Sequence, residues 1–500
     1  MTADRSSPKT LAAVLAVAAL AIALRSVVYL RYEQLAFDSD QAITGLMAKH
    51  LVEGRAFPLF FYGQTYMLGV EAWTAAPWFL LFGPTVAALR LSLLAWNVAF
   101  GCLLVVVLHR DNHLSPWLAL VPASLFLLTP ASVASQLMSA QGGIVEPYVY
   151  VAGLWLLRRR PVWFGALLAV AFRNREFVAY AVPALLLVEW CSGELTLARV
   201  RDWFVSAVVF AAAWQAVEAL KPLADLMGPG TRGQPLTGFA GSQIENLVDR
   251  FDFGYGELLD RAARMGPSIV KWFSGAVQID SALPVRERPW LGLAAGVFLT
   301  GVTGRVAFLL LRSESNRIGG RSWSESVSLR VRRANFPIYL ALVGAFAIGF
   351  FVAGKPVLPG YSRYVLLGIV CPVGLTATLL VLEPLASIRR AATALILAWA
   401  LLSARDHLYA AAAYARHPGP DPMRVVADAL VADGVRVASA GYWRAYVVTF
   451  FSRERLHVAS QELPRIQEYQ DEYAEKGGVV ISDNPCPGGR AVGELYVCPS

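Results

Sequence analysis

The chain has 500 residues, of which 56% are hydrophobic and 16% charged. A soluble domain carries about 25% charge, so a chain this long and this apolar reads as a polytopic α-helical membrane protein. The formal net charge of +8 is no nucleic-acid signal, because the basic residues fall in short loops between apolar stretches.

Eleven apolar segments approach the ~20 residues that a bilayer needs. They lie near 10–30, 86–108, 115–131, 144–157, 161–173, 177–191, 203–220, 290–311, 336–354, 364–384 and 391–406. The first has no small-x-small cleavage site before Tyr32-Glu33, so it reads as an uncleaved anchor rather than a signal peptide. With the N-terminus inside, the cytoplasmic loops hold His109-Arg110, Arg158-Arg159-Arg160, Arg199 with Arg201, residues 312–333 with six Arg against two Glu, and Arg389-Arg390. This is the positive-inside pattern of a multi-pass inner or plasma membrane protein. Arg173-Asn174-Arg175-Glu176 breaks it, since the count puts this group outside.

Three segments lie outside the membrane: a first loop 31–85, a large loop 221–289, and a tail. Residues 1–405 form the membrane part and 406–500 a small extracytoplasmic α/β domain. In the first loop, Ile43, Leu46, Met47 and Leu51 recur at helical spacing from Gln41 to Val52. They predict an amphipathic helix lying in the interface, ended by Gly54. A second helix is predicted from about Tyr66 to Phe82, with Pro77 inside it. Phe57, Phe60, Phe61, Tyr62, Tyr66, Trp73 and Trp78 suit the headgroup level. In the tail, residues 423–432 read as a helix, and 435–439, 455–459 and 477–481 as strands. Tyr442-Trp443-Arg444-Ala445-Tyr446 opens a further helix that docks the domain or touches an acceptor. Cys102, Cys191 and Cys371 fall in or beside spans, whereas Cys486 and Cys498 lie where an oxidising compartment allows a disulfide.

The acids Asp38 and Asp40 just after the first span are the first candidates for chemistry. Asp-Ser-Asp before a helix also suits N-capping, and one Asp can cap while the other faces substrate. The run from Asp38-Ser39-Asp40-Gln41 to Ala48, then Glu53-Gly54, Phe61-Tyr62-Gly63-Gln64-Thr65-Tyr66, Leu81-Phe82-Gly83 and Leu89-Arg90-Leu91 resembles the first luminal loop of the C-type glycosyltransferases. Protein O-mannosyltransferases and lipid A aminoarabinose transferases belong to that superfamily. In it an Asp, usually followed by Glu, opens an interfacial helix at the catalytic centre. Asp40 fits that register better than Asp38, although Gln41 stands where Glu is commoner.

The resemblance implies transfer of a sugar from a polyprenyl-phosphate donor to an acceptor hydroxyl, with inversion. The acceptor would be a glycan, a lipid or a protein. Asp40 would act as base with Asp38 in support. Glu146, after Gln141-Gly142-Gly143, matches the family's second loop acid; the other reading is a Glu solvated at the headgroups. Arg363, in Pro359-Gly360-Tyr361-Ser362-Arg363-Tyr364, matches an Arg-Tyr near the lipid phosphate, which a guanidinium fork suits. Lys355, Arg173 and Arg175 are further phosphate candidates. Tyr62, Gln64, Tyr66 and Glu71 could line an acceptor cleft. No cofactor is certain; a divalent metal is possible, since some C-type enzymes use one, though no ligand set here compels it. A lipid-linked glycan flippase or transporter is the alternative. It would need polar groups at the membrane midplane, where Arg25, Arg90 and Glu218 are the main ionisable residues within spans.

Overall fold

The computed structural model describes residues 7–220, 255–274, 288–312, 323–354, 362–416, 418–419 and 421–499. Among them, six helices are long and apolar enough to cross a membrane. These are Pro8–Arg31 (α1), Val86–Asn112, Pro289–Leu311, Asn335–Ala353, Val365–Leu382 and Ala386–Arg416. The helices Pro116–Leu127 and Ala131–Leu137 are bent by 84° at their junction and add a seventh crossing if they count as one span. The remaining expected spans are helical too, at Glu146–Leu157, Pro161–Asn174, Ala181–Cys191 and Leu197–Ala219. The first three of these are shorter than a bilayer requires. Leu20, Val297 and Leu401 lie well inside long helices yet are 70%, 76% and 70% exposed. An apolar outer face of this kind is what lipid contact requires.

Two arginines inside the bundle are held by neighbouring carbonyls and polar side chains. Arg25 is fully buried; it donates to Thr129 Oγ1 at 2.9 Å and also to the Phe126 carbonyl and Asn97 Oδ1. Arg90 donates to the carbonyls of Tyr29 at 2.6 Å, Tyr32 at 3.2 Å and Leu35. These are carbonyls at the end of α1 and in the turn after it, which have no helical partner of their own. Arg90 therefore fixes the path by which the chain reaches Asp38.

The helix after that turn, α2, spans Ser39–Val52. Asp38 caps it, its carboxylate accepting from Gln41 N at 3.1 Å. The expected interfacial amphipathic helix is corrected here. Every residue from Gln41 to His50 is buried, so α2 has no solvent face. One side packs on the helix Val70–Phe82 (α3) and the other on Tyr442–Phe451 of the tail. Gly45 makes the second contact possible, because a Cβ there would run into the Phe450 ring. The stretch read as the start of a second helix is instead a hairpin. Phe60–Phe61 (β1) pairs antiparallel with Gln64–Leu68 (β2) around Gly63, whose φ is 70°. The helix begins only at Val70 and keeps Pro77 inside it. Phe60, Phe61 and Tyr62 are buried; Phe57 is exposed.

The helix Ala386–Arg416 runs beyond the predicted end of the membrane part. The tail after it holds a five-stranded sheet in the order β4-β3-β5-β7-β6. Strands β3 (Val437–Ala440), β4 (His457–Ser460) and β5 (Val479–Ser482) are the three expected ones, and they are parallel. Strands β6 (Arg490–Val492) and β7 (Leu495–Cys498) add an antiparallel edge. Cys486 and Cys498 are joined by a disulfide. Most of the large loop 221–289 lies outside the described residues.

The helices Asn335–Ala353 and Val370–Leu382 approach each other across two glycines. A Cβ at Gly374 would meet the Ala341 nitrogen and the Pro337 carbonyl, and one at Gly344 would meet the Cys371 backbone. Gly374→Ala is expected to lower thermal stability by about 1–3 kcal/mol, the usual cost of overpacking. Gly296→Ala, at a helical position with nothing within 4 Å, is expected to be neutral or slightly stabilising. Thermal unfolding of the two variants in the same detergent checks the contrast.

Candidate active site

Asp40 sits in the first turn of α2 with its side chain 15% exposed. Its Oδ2 accepts from Arg363 Nη1 at 3.2 Å and its Oδ1 from the Tyr442 hydroxyl at 2.5 Å. Arg363 lies in the 3-10 turn Ser362–Ile369 that leads into a late membrane helix. Tyr442 opens the tail helix that packs on α2. Three distant parts of the sequence thus meet at one carboxylate.

A second line of contacts joins Arg363 to Asp38. Arg363 Nη1 donates to Gln141 Oε1 at 3.2 Å, and Gln141 Nε2 donates to Asp38 Oδ2. Asp38, Gln141, Arg363, Asp40 and Tyr442 therefore form one hydrogen-bonded chain. Burial, and then the neighbouring Asp40 charge, push the Asp38 carboxyl up to about 6, against the opposing pull of the Gln41 amide.

Gln141 owes its place to the turn behind it. Gly142 and Gly143 have φ of 77° and 88°, a region open to glycine at little cost. Their N–H groups, with that of Ile144, donate to the buried Glu71 carboxylate at 2.6, 2.7 and 3.3 Å. Arg175 donates to the carbonyls of Gln141, at 2.8 Å, and Gly142. Arg175 and Glu71 thus build the loop that presents Gln141. Arg173 pairs with Glu218 and lies over the Trp214 ring at 3.6 Å, away from Asp40. These partners account for the basic group that breaks the charge pattern.

Glu146 is fully buried at the start of Glu146–Leu157, and neither carboxylate oxygen has a hydrogen-bond partner among the described residues. It stands outside the chain of contacts around Asp40, and a headgroup-solvated Glu is not what is found. The Tyr62 hydroxyl meets His50 Nδ1 at 2.9 Å. His50 Nε2 in turn meets Glu454 of the tail at 2.7 Å. Gln64, with its amide oriented to satisfy its neighbours, accepts from Arg465 at 3.0 Å and lies 3.3 Å from the Tyr66 hydroxyl. Tyr62 and Gln64 hence line the contact between the first loop and the tail. Lys355 and Tyr361 lie outside the described residues, and Tyr364 is described as backbone in the 3-10 turn.

Sequence reasoning missed Gln141 and Arg465 as site residues. Gln141 could have been found from the glycine pair that follows it. Arg465, 5% exposed, has no such signal. Among the described residues no group of three or more His, Cys, Asp or Glu could hold a metal ion.

No family model matches the sequence, and the curated proteins contain no significant match. Among solved structures, the chain is similar to ArnT from Cupriavidus metallidurans bound to undecaprenyl phosphate. The TM-score is 0.50 at 13% identity, over 98% of both chains. The fold is that of the C-type glycosyltransferases. A second similar structure is the apo oligosaccharyltransferase of Archaeoglobus fulgidus, with a TM-score of 0.45 and 13% identity over 95% of this chain and 70% of that one. In this fold the Asp40 carboxylate lies in the loop after the first membrane helix, where that loop packs on the tail.

The Asp38 carboxyl yields a test. Its ordinary value is 3.8 and its folded value about 6. The folded protein binds the extra proton between these values, so the contribution is fully present below about 3.8 and is lost as pH rises through 6. Wild-type protein is expected to lose thermal stability from pH 5 to pH 7. Asp38→Asn, which keeps a capping side chain, is expected to flatten that slope in melting curves.

Proposed function

We propose that the protein transfers a sugar from a polyprenyl-phosphate donor to an acceptor hydroxyl on the extracytoplasmic side of the membrane. The pairing of Asp40 with Arg363 carries this reading. It sets a carboxylate able to take a proton beside a guanidinium able to hold a phosphate. ArnT, of similar fold, was solved with undecaprenyl phosphate bound.

The acceptor oxygen attacks the anomeric carbon and gives its proton to Asp40. The bond from the anomeric carbon to the phosphate oxygen breaks, and the polyprenyl phosphate leaves with the electron pair. Attack opposite the leaving group inverts the anomeric centre. Arg363 stabilises the charge that develops on the phosphate. The phosphate leaves readily without a proton, so one carboxylate serves where glycosidases use two. The basic loops support an orientation with the N-terminus in the cytoplasm and the site and tail outside. Arg25, Arg90 and Glu218, the main ionisable residues within spans on which the flippase reading would draw, are bound to neighbouring groups of the bundle.

Asp40→Asn is expected to lower sugar transfer in membranes by roughly 10²–10⁴-fold at unchanged protein level. Full activity would refute the assignment of the base, and loss in Asp38→Asn alone would exchange the two roles. Arg363→Ala is expected to weaken undecaprenyl-phosphate binding roughly ten- to hundredfold, as loss of a charged hydrogen bond does. Direct binding to purified protein in nanodiscs measures this.

A further inference from the structure

Tyr442 is buried, and its main chain is fixed at both ends of the residue. Its N–H donates to Glu462 Oε2 at 2.6 Å, and its carbonyl accepts from Ser39 Oγ at 2.5 Å. The side chain is the part left to move. Its hydroxyl donates to Asp40 Oδ1 while Arg363 occupies Oδ2. A carboxylate that receives both a phenol and a guanidinium is a weak base, because each donor stabilises its charged form.

An acceptor hydroxyl must donate to this same carboxylate before it can attack. The phenol offers an identical O–H donor in that place. Burial, together with the adjacent Asp40, holds the Tyr442 phenol well above its ordinary range, so its proton stays on oxygen. The phenol is thus a placeholder and not an acid.

A donor able to receive it stands beside the ring. Arg465 is nine-tenths buried, and its guanidinium lies 5.7 Å from the centre of the Tyr442 ring. Its Nη1 donates to the Gly63 carbonyl at 3.3 Å, and Gln64 accepts from Nη2 at 3.0 Å. Its Nε has no partner among the described residues. A buried donor without an acceptor is costly, and a phenol turned away from Asp40 would supply the missing acceptor.

We propose that Tyr442 is a specificity gate: its hydroxyl holds the acceptor's position on Asp40 until the acceptor displaces it toward Arg465. This rests on Asp40 as the base. The gate selects acceptor over water. Water attacking the same anomeric carbon would release free sugar and polyprenyl phosphate, and a capped Asp40 does not activate it.

The test uses the full chain in nanodiscs with tritiated polyprenyl-phosphate sugars extracted from the membranes of producing cells. Release of free sugar is measured without acceptor, and transfer is measured with the acceptor fraction of the same membranes. Tyr442→Phe keeps the ring and is expected to raise free-sugar release roughly tenfold, the effect of one hydrogen bond on the base. Adding Asp40→Asn is expected to remove that gain. Arg465→Gln, which removes the guanidinium, is expected to slow transfer, and Tyr442→Phe on that background to restore it. Unchanged or reduced sugar release by folded Tyr442→Phe, or additive losses in the double variant, would overturn the gate and leave Tyr442 as a positioning residue for Asp40. Wild-type protein that consumes none of the lipid-linked sugars would overturn the glycosyltransferase reading itself, and the gate with it.

Discussion

A carboxylate removed from water must be met by donors, and at Asp40 the donors come from segments 323 and 402 residues further along the chain. Arg363 arrives from the mouth of a late membrane helix and Tyr442 from the tail. The position of α2 follows from this. The helix is enclosed because both of the elements that serve Asp40 must reach its first turn. Gly45, where a Cβ would run into the Phe450 ring, lets the tail come close enough.

The same logic runs back to the membrane. Arg90 binds three carbonyls after α1 and so sets where α2 begins. A guanidinium with several fixed donors does this better than an apolar contact, which has no direction. The far end of α2 is held by a second buried cluster, in which Lys49, His50, Arg55 and Tyr469 all meet Glu454. Both ends of one short helix are therefore locked by ionic contacts to segments hundreds of residues away.

Much of this was legible in the sequence. The helical spacing of Ile43, Leu46, Met47 and Leu51 located α2, and Asp38 was readable as its cap. The three tail strands and the helix before them fell within two residues of their places. What was not legible has a common cause. Periodicity reports one buried face, so a helix covered on both sides by small residues looks half exposed. The hairpin at Gly63 hides for another reason: its strands are too short for alternation to show. Arg465 and the contact of Tyr442 with Asp40 depend on tertiary approach, for which local pattern carries no sign. Arg175 is instructive. Its type suggested phosphate, yet its donors serve two carbonyls of the Gly-Gly turn.

That turn has a further consequence. Three successive backbone N–H groups converging on one point form an anion-binding nest, the kind of concavity that often cradles phosphate. Here the nest is filled from within by Glu71. The protein carries its own surrogate anion, so the loop takes its shape before any lipid arrives. For the donor proposed above, this nest is closed to the phosphate, which leaves side chains such as Arg363 to meet it. The entropy of ordering the loop is settled at folding and is not charged against each binding event.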